Sequence, residues 1–148
     1  MNADHASLSH HPAPHRQKVS PGALAFGLVG GPLAWFVQVC ANYPMASWPC
    51  FPGEHRNLLP QPGSVWTLHA MIGASVAAFV IAVAAFVVAQ RAFIRVRHES
   101  HGDHTHLLNV GSGRTRFLAL WGMIFSAAFA VGIAMTVVAY IVLPRCAG

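Results

Sequence analysis

Five side chains that can hydrogen-bond or hold a ligand fall inside otherwise apolar runs: Gln38, Asn42, His69, Thr136 and Tyr140. Gln38 and Asn42 are four residues apart, so on a helix they share a face. Polar groups in hydrocarbon are costly unless partnered, so these five are expected to meet in one intramembrane polar layer. Such a layer can hold helices together, at about 0.6 kcal/mol per hydrogen-bonded pair. It can also line a pocket for a quinone or a haem. His69 is the only histidine predicted within a span, so a bis-histidine haem would need its second ligand from a partner.

Two further residue sets suggest metal chemistry. Met45, Cys50, His55, His69, Met71 and Cys146 offer soft ligands of the kind that hold Cu(I). They lack Cys-x-x-Cys, Met-x-x-Met or His-x-His spacing. The second set is a histidine-rich tract, His98, His101, His104 and His106, echoed near the N-terminus by His5, His10, His11 and His15. Imidazoles bind zinc, nickel and copper, and such tracts can buffer metal. The alternative is a solvated loop. No cofactor is required by these patterns; copper or haem are the ones they leave open.

The elements that must position these residues follow from composition. Of 148 residues, 55% are hydrophobic and only 9% charged, with a mean hydropathy of +0.50. A soluble domain carries roughly a quarter charged residues. This chain would have little to show water, so lipid is the expected solvent. Three runs are long enough to cross about 30 Å of hydrocarbon: about 22–43, 65–90 and 117–143. The reading is all-α: a transmembrane three-helix bundle over 21–148, preceded by a polar tail over 1–20 expected to be disordered.

Local signals refine the spans. Pro32 falls mid-span, and Tyr43 precedes Pro44, where the first helix is expected to end. Gly27 and Gly31 have small-xxx-small spacing. Ala70, Ala74, Ala78 and Ala82 repeat every four residues, as do Gly122, Ser126, Ala130 and Ala134. Gly111-Ser112-Gly113 reads as a flexible hinge.

Charge sets the expected orientation. Arg16, Lys18, Arg91, Arg95, Arg97, Arg114 and Arg116 fall on one side of the bilayer, against Arg56 and Arg145 on the other. Seven against two predicts the N-terminus in the cytoplasm and the C-terminus outside. The basic residues cluster at span ends, not among aromatics on a polar surface, so nucleic acid is not an expected partner. Cys50 and Cys146 share the outer face, where a disulfide is tolerated; two unpaired thiols are the alternative. Asp4, Glu54, Glu99 and Asp103 are the only acids, and all lie outside the spans. That argues against an ion-coupled carrier. The sequence shows no nucleophile elbow, phosphate loop or zinc-protease motif, so no enzymatic activity is expected.

Four segments carry a resemblance: Gly31-Pro32-Leu33-Ala34-Trp35-Phe36, Ala46-Ser47-Trp48-Pro49-Cys50-Phe51-Pro52, Arg114-Thr115-Arg116-Phe117-Leu118-Ala119-Leu120-Trp121-Gly122, and the Pro144–Cys146 ending. With these the chain resembles a family of small three-span proteobacterial inner-membrane proteins, over nearly its whole membrane portion. Members are often encoded beside haem–copper terminal oxidase genes of the cytochrome c oxidase type. The resemblance implies a multi-pass protein of the bacterial inner membrane. It also implies a non-catalytic accessory subunit or assembly factor whose partners are terminal oxidase subunits. A copper-handling protein and a quinone- or haem-binding subunit are the alternatives from other classes.

Overall fold

The computed structural model describes residues 20–51, 53, 55, 59, 62–99, 110–143 and 146. The polar tail 1–19 and most of both loops lie outside them. Three long helices make up the fold: α1 (Pro21–Ser47), α2 (Val65–Glu99) and α3 (Val110–Val142), with a short 3₁₀ turn at Trp48–Cys50. All three are long and apolar enough to cross a membrane. The protein is thus an all-α, multi-pass three-helix bundle with its outer surface in lipid.

Each helix begins for a local reason. Pro21 occupies the first turn of α1, where its missing N–H needs no partner. The Ser20 carbonyl accepts from Ala23 and Leu24 N–H at 3.0 and 3.2 Å. Gly63, at φ 91°, makes the left-handed turn into α2. Ser64 then accepts from Thr67 N–H at 3.1 Å and from its hydroxyl at 2.7 Å.

Two boundaries differ from the sequence expectation. Helix α1 does not end at Tyr43 but passes through Pro44 to Ser47. A proline removes one backbone donor, and the next turn still closes: Trp48 N–H and the Ser47 hydroxyl both donate to the Pro44 carbonyl. Helix α3 begins at Val110, so Gly111-Ser112-Gly113 is helical and not a hinge. At about 1.5 Å per residue, α2 spans ~52 Å, well beyond the hydrocarbon thickness.

The interior is built from small residues. Gly27, Gly30, Gly31 and Ala34 are buried on α1. On α2 the buried row is Met71, Ser75, Ala78, Ala82, Ala85, Ala89 and Ala92. Its steps alternate four and three, a 3.5-residue period that keeps one seam facing its neighbours. The expected four-residue stripe drifts off that seam: Ala78 and Ala82 are buried, Ala70 and Ala74 only half-buried. Helix α3 behaves alike. Gly122, Ser126 and Ala130 are buried, Ala134 is exposed, and Ile133 takes its place inside. Large apolar side chains such as Phe36 and Met135 point outward, as suits lipid.

The tightest contact is at Gly27, Gly31, Gly122 and Ser126. A Cβ on Gly31 would lie 2.8 Å from Ser126 Cα, and one on Gly122 would lie 3.0 Å from the Gly27 carbonyl oxygen. The Ser126 hydroxyl donates to that oxygen at 2.9 Å, bonding α3 to α1. Closer to the middle, Trp35 and Phe129 pack with ring centroids 5.4 Å apart and planes tilted by 51°.

Candidate functional site

A polar layer does form, from Gln38, Asn42, Ser75 and Tyr140. The Gln38 amide nitrogen donates to Ser75 Oγ at 2.9 Å. The Asn42 amide nitrogen lies 3.2 Å from Ser75 Oγ and 3.2 Å from the Tyr140 hydroxyl, with the Met71 carbonyl at 3.5 Å. Ser75 itself donates to the Met71 carbonyl at 2.7 Å. Asn42 thus joins all three helices through one amide group.

Gln38 and Asn42 are 2% and 1% exposed, yet Gln38 Oε1 and Asn42 Oδ1 have no hydrogen-bond partner among the described residues. The Ser75 and Tyr140 oxygens accept within the layer, whereas the two amide oxygens do not. The layer as packed is a helix–helix lock.

His69 and Thr136 are not in the layer. His69 lies two residues from both Thr67 and Met71, which are buried. Two residues are about 200° of helix, so His69 faces outward. Its Nδ1 donates to the Val65 carbonyl at 3.1 Å in its own helix. Thr136 is half-buried and donates to the Gly132 carbonyl at 2.8 Å, also within its own helix. Ser75 is the member that sequence reasoning missed. Its signal was the 3.5-residue register, which places it between Met71 and Ala78 on the seam.

The layer makes a specific prediction for stability. Asn42→Ala removes the three-helix bond and leaves a cavity, so it is expected to destabilise by about 2 kcal/mol. Gln38→Met removes one bond and also an unpaired buried oxygen, which offsets the loss, so a change under about 1 kcal/mol is expected. Unfolding midpoints in mixed micelles measure both. Equal losses would show that the three-helix bond of Asn42 is worth no more than the single Gln38 bond.

Cys50 and Cys146 are joined in a disulfide, with Cα atoms 5.6 Å apart and a sequence separation of 96. Both are buried. The bond ties the turn after α1 to the segment after α3, and the unpaired-thiol alternative is set aside. It also removes two thiolates from the copper ligand set. Cys40 is a free thiol on the exposed face of α1. Among the described residues no group of three or more His, Cys, Asp or Glu side chains converges. The His98 side chain and His101, His104 and His106 lie outside the described residues.

Comparison with family models, with curated proteins and with solved structures gives no match for this chain.

Proposed function

We propose that the protein is a non-catalytic accessory subunit or assembly factor of a haem–copper terminal oxidase in the bacterial inner membrane. The segments that resemble the oxidase-associated family carry this reading. In the structure those same segments build the scaffold. Gly31 lies at the closest α1–α3 approach. Ala34 and Trp35 pack at the core. Cys50 and Cys146 form the clasp. A bundle locked inside by glycine contacts and amide bonds keeps its large apolar side chains for the outer surface, where a membrane partner would pack. The seven-to-two distribution of Lys and Arg supports an N-in, C-out orientation.

One preparation tests both parts. A C-terminal tag is used to purify the protein from native membranes in mild detergent. Oxidase subunits and their haem bands in a reduced-minus-oxidised spectrum are the expected result. A colourless protein eluting alone would reject the oxidase reading. In intact spheroplasts the tag is expected to be protease-sensitive, and protection would reverse the orientation.

A further inference from the structure

The end of the bundle away from the disulfide gathers positive charge at one level. Gly27, Ala89 and Gly122 are in contact, so they mark a common height on the three helices. At about 1.5 Å per residue, Arg91 lies ~3 Å and Arg95 ~9 Å beyond that height on α2, and Arg116 lies ~9 Å beyond it on α3. All three arginines are exposed. The apolar span of α2 ends at Arg95, which puts the pair Arg91 and Arg95 at the edge of the hydrocarbon. This side of the chain carries seven Lys or Arg residues against three acids, Asp4, Glu99 and Asp103. Pairing every acid would still leave four cations.

The three arginines differ in their surroundings. Arg116 reaches from α3 to α2, its guanidinium carbon 5.8 Å from the centre of the Phe93 ring. Arg91 and Arg95 are one turn apart, so they share a face of α2. Among the described residues they make no hydrogen bond, ion pair or ring contact. Each is two residues from Phe93, about 200° of helix, so the pair faces away from the Arg116 contact. Further into the span the same face continues through Ala84 and Val80, both exposed. Two cations therefore cap an apolar strip that faces lipid. A molecule that matches both has an anionic head and a hydrocarbon tail, in that order. A soluble anion or an acidic peptide would leave the strip unused.

We propose that Arg91 and Arg95 hold the phosphate of one anionic phospholipid, whose acyl chain lies along Ala84 and Val80. Guanidinium groups meet phosphate oxygens through paired N–H donors, which an ammonium group cannot reproduce. A phosphatidylcholine head offers the same phosphate but brings its own cation, so the pair selects heads of net negative charge. A basic side chain near the surface favours anionic lipid by about fivefold. Binding is a property of this chain alone, so the site holds with or without an oxidase partner and in either orientation across the membrane.

Full-length protein is reconstituted in phosphatidylcholine bilayers with a trace of spin-labelled phosphatidylglycerol or spin-labelled phosphatidylcholine. The motionally restricted fraction of each label gives their relative affinity for the protein surface. Wild type is expected to prefer phosphatidylglycerol at least about twofold, averaged over all boundary positions. Arg91→Gln/Arg95→Gln is expected to lose most of that preference and Arg116→Gln to keep it. Both pairs of changes lie on outward-facing side chains, and an unchanged unfolding midpoint checks that the bundle is intact. A Gln pair that keeps the wild-type preference would overturn the site. Arg91→Lys/Arg95→Lys separates a site from diffuse surface charge, because it keeps the charge and loses the paired donors. It is expected to lose at least about half of the preference; full retention would mean surface potential only, and the site falls. Inorganic phosphate, added at matched ionic strength, is expected not to release the restricted phosphatidylglycerol. Release would make free phosphate the ligand and would overturn the lipid assignment.

Discussion

Replacing Gly31 by alanine will push α1 away from α3 and destabilise the bundle by about 1–3 kcal/mol, the usual cost of overpacking. Two effects oppose each other. Alanine is the better helix former by about 0.8–1 kcal/mol. Against that, the new methyl would sit 2.8 Å from Ser126 Cα, a backbone atom that no rotamer change can move. The helices must separate, and separation also stretches the Ser126 to Gly27 hydrogen bond. Trimming the neighbour offers no rescue: Ser126→Gly leaves Cα in place and deletes the hydroxyl. Gly30→Ala differs, because its closest contact is the Ala85 Cβ at 2.9 Å, with the Phe26 ring next. Adding Ala85→Gly is expected to recover most of that loss. Gly73→Ala meets nothing within 4 Å and keeps only the propensity gain, so it is expected to be neutral or slightly stabilising. The helical signal followed through a detergent-denaturant titration ranks the four variants. A Gly31→Ala protein as stable as Gly73→Ala would refute the close crossing.

The same contacts show what was legible in the sequence. Length and hydropathy are summed properties, so three spans and an all-helical bundle could be read directly. Gly27 and Gly31 could be read because small residues in lipid have few uses other than close approach. Which face of α2 turns inward could not be read from the alanines. Alanine is abundant around that helix, and only packing against two neighbours selects the row with alternating three- and four-residue steps. That ambiguity is why Ser75 was missed and why His69, on the outward face of α2, was expected in the layer. Thr136 was misjudged for another reason. A threonine hydroxyl can satisfy itself on the carbonyl four residues back, so it needs no partner helix. Pro44 obeyed local rules less than expected, because one lost donor does not end a helix whose next turn closes around the same carbonyl.

Breaking the Cys50–Cys146 disulfide is the other change expected to have a large effect. In the chain-entropy model a loop near 100 residues is worth about 4.7 kcal/mol. That figure assumes a random unfolded chain. Three helices already threaded through a bilayer keep the ends of the loop within a limited distance, so reduction is expected to cost less, about 2–3 kcal/mol. Part of the effect is local. The bond anchors the 3₁₀ turn Trp48–Cys50, and that turn carries Trp48 into ring contact with Trp66. Wild-type protein unfolded with and without a membrane-permeant reductant gives the size of the effect. The Cys50→Ala/Cys146→Ala protein is expected to match reduced wild type and to ignore reductant. Cys40→Ser is expected to change nothing, since that thiol is exposed and unpaired. If the double variant were as stable as the oxidised protein, the glycine crossing and the Asn42 layer alone would hold the bundle closed. The disulfide would then serve only to set the shape of the turn after α1. A Trp48–Trp66 geometry that loosens in the double variant, read as a shift in Trp48 emission, would separate that local role from the global one.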